Sequence, residues 1–314
     1  MANVFIEEST MTAIGDAIRA KTGGSNGILP ANMPDEIASI TTGGGGGSGS
    51  FDGVGDGSIA TGNVVDNTSS IIKDYAFQNN TTMTAANFPK VTEVKAYAFD
   101  NCTAVKSAKF PLLTKISGAY SFQQTFAMET FEAPNLETLG GTGSFYRSGI
   151  VTLYLPKLKS STGLMMFQES ESLETVNLPE ITTINSNQMF HKCPLLKNVY
   201  VPKLTTLTTL VFSSCTSLEV IDLPCVTKIG GKCFVGTTNL KAVILRSSTL
   251  ATAGETIFKN SKIMEGTGFV YVPSALVDDY KTATNWTEYA NQIRALEDYT
   301  VDGTTTGELD ESKI

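Results

Sequence analysis

Apolar and polar positions recur along this chain with a single period. Prolines stand at 89, 111, 134, 156, 179, 202 and 224, at intervals of 22 or 23 residues. Phenylalanines stand at 77, 99, 122, 145, 167, 190, 212, 234 and 258, at intervals of 22 to 24. Aligned on the proline, the units share P-x-[LIV]-T-x-[ILV]-x-x-x-x-F-x-x-[C/S/T]-x-x-[LIV]-x-x-[VIL]-x-[LVF], as in LPEITTINSNQMFHKCPLLKNV and LPCVTKIGGKCFVGTTNLKAVI. The alternation just before each proline marks a short strand with one buried face. Proline ends that strand because it has no N–H to pair. A second apolar pair and the phenylalanine then return the chain and close a coil. One coil this short cannot bury its own apolar face, so neighbours must stack. With strands about 4.8 Å apart, eight coils make a rod roughly 40 Å long. The predicted fold is therefore a β-rich repeat solenoid over residues 58–268.

The periodicity stops before this rod. In TMTAIGDAIRA, Met11, Ile14 and Ile18 fall at helical spacing behind Ser9 or Thr10 as a cap, and Met33, Ile37 and Ile40 do the same in LPANMPDEIASI. Residues 1–40 thus read as a helical hairpin, too small to be stable alone, that docks on a partner or self-associates. The glycine-rich stretch 41–57 reads as a flexible linker. TTGGGGGSGS lacks the Lys-Ser/Thr of a phosphate loop. The polar tail 300–314 has no apolar periodicity and no task that the sequence assigns.

Composition narrows the partners. Charged residues make up only 17% of the chain, and 23 Lys and Arg against 31 Asp and Glu leave a formal charge of −8. Nucleic acid and anionic membrane both require clustered cations, so neither is expected. No apolar run is long enough to span a bilayer. The first residues carry no basic segment followed by an apolar one, so no secretory leader is expected. Five cysteines without a CxxC pair fit free buried thiols in a reducing compartment.

The sole histidine, His191, stands two residues before Cys193, and with Cys215 and Cys233 it could make a metal set. The repeat offers another account. Cys102, Cys193 and Cys215 each lie three residues after the phenylalanine, a column that elsewhere holds Thr125, Ser148, Ser170, Thr237 and Ser261. Such a column accepts any small residue that can satisfy local backbone inside a coil. Stacking could also bring Cys193 and Cys215 within disulfide range. His191 belongs to the next column but one, shared with Gln78, Asp100, Gln123, Tyr146, Gln168, Ser213, Val235 and Lys259, which reads as mostly solvent-facing. Cys225, just after a proline, is the expected exposed thiol. One histidine without an acid partner excludes most Ser-His and Cys-His schemes. No enzyme and no cofactor are expected.

A solenoid most naturally binds through an extended sheet face. Two strand columns point away from the core. One reads Ala85, Ser107, Thr130, Thr152, Thr175, Asn198, Val220 and Ala242. The other reads Asn87, Lys109, Glu132, Tyr154, Asn177, Tyr200, Asp222 and Ile244. The second mixes charges, amides and two tyrosines, a set suited to sugar or protein recognition. Lys109, Glu132, Tyr154, Asn177, Tyr200 and Asp222 are the candidate ligand-binding residues.

The units DYAFQNNTTMTAANFP (74–89) and AYAFDNCTAVKSAKFP (96–111) carry A-F-x-x-C-x-x-L-x-x-[VI]-x-[LI]-P, and on these residues the chain resembles the BspA-type leucine-rich repeats. Two units depart from it: Arg246 replaces the proline, and 134–155 has SFYRSG in place of AFxxC. The resemblance implies a C-terminal cap of a strand and two short helices over 269–299, with Ser274 capping the first helix and Trp286 plugging the last coil. The N-terminal pattern, Thr12, Ile14, Asp16, Ala17, Ile18, Arg19, Lys21, Thr22 and Gly23 followed by Ile28, Pro30, Met33, Ile37 and Ile40, resembles the start of tail, baseplate and fibre proteins of phages of Gram-positive bacteria. That resemblance implies a virion component assembled in the host cytoplasm. Ile14, Ile18, Met33 and Ile37 would attach to other tail or baseplate proteins, and the rod would bind a bacterial surface glycan or protein. The alternative it leaves open is a BspA-like adhesin on the bacterial cell surface.

Overall fold

The computed structural model describes residues 60–298 and, as backbone only, 300–301 and 304–305. The expected hairpin and linker, with Ile14, Ile18, Met33 and Ile37, lie outside the described residues.

The described chain is a parallel β-solenoid. Each coil contributes one strand to a front sheet and a two-residue strand to a back sheet. The back sheet is continuous and nine-stranded, from Ile71–Ile72 to Thr252–Ala253, every strand parallel to the next. Its strands are the T-x-[ILV] element after each proline. The second residue points inward in eight strands, from Ile72 and Val94 to Ile229, with Ser161 taking the place of the aliphatic in one. The front sheet is divided into three parallel sections. Gly62–Val65, Met83–Asn87, Ser107–Lys109 and Thr130–Glu132 form the first, and Thr152–Tyr154, Thr175–Asn177 and Asn198–Tyr200 the second. Val220–Leu223, Ala242–Leu245, Phe269–Val272 and Ile293–Ala295 form the third.

The turn around each phenylalanine supplies a third ladder. The amide of Phe99 donates to the carbonyl of Ser121 at 2.7 Å, Phe122 to Ser144 at 2.7 Å and Phe190 to Val211 at 2.9 Å. Residues two before and two after the phenylalanine take left-handed backbone, as at Tyr97 (φ 54°) and Asn101 (φ 57°) or Gln188 (φ 63°) and Lys192 (φ 57°). That conformation is costly for non-glycine residues. It turns successive amides toward the next coil, and the ladder holds it in place. Inside, the phenylalanines stack face to face from Phe77 to Phe258, with centroids 4.9 Å apart at Phe77–Phe99 and 5.6 Å apart at Phe234–Phe258.

The C-terminal end is covered as the sequence implied. Phe269–Val272 extends the front sheet, the α-helix Val277–Thr282 follows, and a 3-10 helix spans Thr287–Gln292. Trp286 is fully buried, donates its indole N–H to the Ala251 carbonyl at 2.7 Å and lies over Phe258. Ser274 does not cap the helix. It opens a 3-10 turn whose N-cap is Pro273, and Leu276 stands before the α-helix with no side-chain cap bond. The tail contains a two-residue antiparallel pair, Thr300–Val301 with Thr304–Thr305, where no regular structure was expected. Among the described residues no helix is long and apolar enough to cross a membrane.

Candidate functional site

The cysteine and histidine columns resolve first. Cys102, Cys193, Cys215 and Cys233 are buried free thiols, and Cys225 is exposed. The sulfur of Cys193 donates to the Phe167 carbonyl at 3.2 Å and that of Cys215 to the Phe190 carbonyl at 3.1 Å, each reaching back one coil. Ser170 makes the same bond to Phe145 at 3.2 Å, whereas Thr125, Thr237 and Ser261 donate to the phenylalanine carbonyl of their own coil. Burial pushes the thiols of Cys102, Cys193 and Cys233 up to about 12. Those groups stay protonated and are poor nucleophiles. Among the described residues no group of three or more His, Cys, Asp or Glu is placed to hold a metal ion. The column holding His191 is less exposed than its composition suggested. His191 is half-buried with Nδ1 3.1 Å from the Ser213 carbonyl, and Gln168 and Ser213 are buried.

The front face places the predicted column in register. Asn87 pairs with Lys109, Lys109 with Glu132, Tyr154 with Asn177, and Asn177 with Tyr200. Lys109 and Glu132 form an exposed ion pair at 3.1 Å. Tyr154 is 53% exposed, and Asn177 sits between the two tyrosines with its Oδ1 buried and without a hydrogen-bond partner among the described residues. Asp222 is not available as the sequence reading required. Arg246, the residue in place of the repeat proline, holds it at 2.8 Å, and both side chains are mostly covered. Burial raises the Asp222 pKa, and the arginine only partly offsets this.

The column is not continuous. Glu132 and Tyr154 belong to different sections of the front sheet, as do Tyr200 and Asp222. In a regular pair, the residue before the proline donates its amide to the next coil: Phe110 to Glu132 at 2.8 Å, Leu155 to Asn177 at 3.2 Å and Leu178 to Tyr200 at 2.9 Å. The equivalent bond from Ala133 to Tyr154 is missing, and so is that from Val201 to Asp222. The start of the first gap is held by a long bond from Val151 to the Glu129 carbonyl at 3.4 Å, and the approach to the second by one from Ser217 to the Pro194 carbonyl at 3.0 Å.

The first gap coincides with an irregularity in the sequence. The interval from phenylalanine to the next proline is 12 residues in 77–89, 99–111, 122–134, 167–179, 190–202 and 212–224, but 11 in 145–156. The missing residue lies after Ser148. Other coils put two residues between this column and the next apolar position (Cys102 to Val105, Ser170 to Leu173), whereas here Gly149 alone separates Ser148 from Ile150. The turn lies close against its neighbour: a β-carbon on Gly149 would lie 2.0 Å from the Phe126 carbonyl oxygen. Next to it the strand Thr152–Tyr154 is not paired with Thr130–Glu132, and a groove lies between them.

That groove has a volume of about 530 Å³ and is lined by Glu129 to Pro134 and by Val151, Thr152 and Tyr154. A second cavity of about 420 Å³, lined by Phe126, Arg147, Ser148, Gly149, Glu169, Glu171 and Ser172, flanks the same short turn. At its edge Glu169 accepts from Arg147 and Tyr146 and pairs with Lys192. The other sheet gap has a cavity of about 410 Å³ with polar walls, including Lys197, Asn198 and Glu219. Of the six predicted residues, only Glu132 and Tyr154 meet in the larger groove. Glu129, Phe131 and Val151 were missed, and the 11-residue interval was the signal that marks them.

Residues 70–197 and 141–265 match the BspA type leucine rich repeat region, in six copies. None of the curated proteins matches the chain. Among solved structures it is similar to a leucine-rich repeat protein from Bacteroides ovatus (17% identity, TM-score 0.36, covering 75% of this chain and 84% of that one). It is also similar to the T. pallidum leucine rich repeat protein (20%, TM-score 0.41, 60% and 80%) and to the pneumococcal vaccine antigen PcpA (16%, TM-score 0.36, 73% and 77%). With the family model covering most of the coils, and the coils stacked as its repeat requires, this chain belongs to the BspA type leucine-rich-repeat family.

Proposed function

We propose that this chain is a non-enzymatic, adhesin-like binding protein of a bacterial surface, with the front face of the solenoid as its recognition element. The observation that carries the reading is the front column itself. Lys109, Glu132, Tyr154, Asn177 and Tyr200 are displayed along a stiff ladder, opened at one point into a groove with both apolar and charged walls. Such a face suits a surface protein or glycan. The buried thiols and the solitary His191 offer no activated nucleophile.

A second reading, a phage tail, baseplate or fibre component, is favoured by the N-terminal pattern of Thr12 to Ile40. In it Ile14, Ile18, Met33 and Ile37 anchor the chain in the virion, and the same front face meets the bacterial surface. The two readings share the binding element and differ in what carries it. Quantitative mass spectrometry of producing cells, comparing cell wall, cytosol and density-banded particles after prophage induction, separates them. Enrichment in cell wall with accessibility to added protease supports the adhesin. A fixed ratio to tail proteins in particles replaces it with the virion component. Recovery from cytosol alone defeats both.

A further inference from the structure

The groove beside the short unit differs in kind from the rest of the front face, and we propose that it seats an extended, basic segment of a protein partner, with apolar residues flanking the basic one. The proposal rests on the binding reading above and narrows it to one site and one ligand chemistry.

The walls come first. Phe131, Pro134, Val151 and Tyr154 make the groove mainly apolar on both sides, so that a side chain can enter between them. Tyr154 (53%) and Val151 (37%) are exposed, as is Phe126 (54%) across the Ser148–Val151 turn. Large exposed apolar residues scattered singly mean little, but three gathered at one irregularity mark a contact surface. A sugar would ask for one open aromatic platform ringed by polar groups rather than two apolar walls.

The backbone comes next. Register at the gap would bond the Ala133 amide to the Tyr154 carbonyl, and that bond is not made. A peptide group laid across the opening can accept from the first and donate to the second, as strand-adding ligands do at a sheet edge. Charge selects the sequence of the segment. Glu129 forms no ion pair among the described residues, Glu132 shares only the exposed Lys109, and Glu171 lies on the far side of the turn. A lysine or arginine side chain can lay its apolar stem along Val151 and place its charge at Glu129.

The test titrates end-blocked Ac-Gly-Leu-Lys-Leu-Gly-NH2 into the full isotope-labelled chain at low salt, followed by NMR. Saturable shifts centred on Ala133 and Tyr154 are expected. The peptide with glutamate for lysine, and the one with glycine for both leucines, should bind at least about ten-fold more weakly. Glu129→Lys and Tyr154→Ala change exposed side chains and leave the coil fold intact by circular dichroism. Each should weaken the lysine peptide about ten-fold, and Glu129→Lys should invert the preference between lysine and glutamate. The proposal is overturned if the glutamate peptide binds as well as the lysine one, if no peptide shifts these residues, or if chitotetraose saturates them instead. Surface attachment that survives Tyr154→Ala and Glu129→Lys together would remove the groove while leaving the broader binding reading in place. Groove binding in a chain recovered only from cytosol would do the reverse.

Discussion

Phe190→Ala tests how the rod holds together. The ring is fully buried and stacks on Phe167 and Phe212 with centroids 5.6 Å away on either side and planes within 16° and 11°. Truncating a buried phenylalanine costs about 3–5 kcal/mol when the space cannot collapse. Two ring contacts contribute roughly 0.5–1.5 kcal/mol each to that sum. Collapse is blocked here because the ladder bonds from Phe190 to Val211 and from Phe167 to Met189 fix the coil spacing. A repeat array is stabilised by nearest-neighbour interfaces, so the damage should also uncouple the two halves. The sole tryptophan, Trp286, reports the C-terminal end, whereas far-ultraviolet circular dichroism reports every coil. In guanidinium the parent chain should give coincident transitions by both probes. The variant should lose at least about 3 kcal/mol, and its two midpoints should separate. A loss below about 1 kcal/mol, or a lower midpoint shared by both probes, would refute the stacked-column account.

Further outcomes follow from the same geometry. Native protein should release the chromophore of Ellman's reagent at Cys225 alone, because Cys102, Cys193, Cys215 and Cys233 are buried; Cys225→Ser should abolish the reaction, and a second reactive thiol would contradict the packing. Trp286→Ala should destabilise the C-terminal coils by about 3–5 kcal/mol and speed hydrogen exchange there first, since the indole fills the end of the core and donates to Ala251. Glu169 is pushed up by burial, but donors from Arg147, Tyr146, Lys192 and Gln168 outweigh this and hold it at about 2. Its depressed folded pKa means that the stabilisation is present above the ordinary glutamate range and is lost as pH falls from about 4.5 toward 2. Glu169→Gln should therefore flatten the acid limb of a melting-temperature profile over that interval, and an unchanged slope would count against the cluster.

Sequence periodicity reaches far into this fold. The proline and phenylalanine registers place every strand pair of the back sheet, the buried phenylalanine column and the cysteine column, because each is a consequence of stacking identical units. The front columns follow for the same reason within each section, from Asn87 to Glu132 and from Tyr154 to Tyr200. What the repeat cannot express is the behaviour of its exceptions. Arg246 looked like a lost proline, yet it became the partner that covers Asp222. SFYRSG looked like a substituted motif, yet its consequence is the absent residue after Ser148. A missing residue leaves no side chain to read. Beside it, on the neighbouring coil, the Ala133 amide does not reach the carbonyl of Tyr154. Ser274 misled for a simpler reason: a helix-capping residue type sits two residues too early, behind a 3-10 turn.

The claim on which the binding account turns is that the front ladder is open between Ala133 and Tyr154. Through-hydrogen-bond NMR couplings on the full chain test it directly. Amide-to-carbonyl correlations should be seen for Phe110 to Glu132 and for Leu155 to Asn177, with none for Ala133 to Tyr154. Inserting one residue between Gly149 and Ile150, to restore the 12-residue interval of the other coils, should make the missing correlation appear. A correlation between Ala133 and Tyr154 in the parent chain, as strong as its neighbours, would mean that the ladder is closed and the groove does not exist.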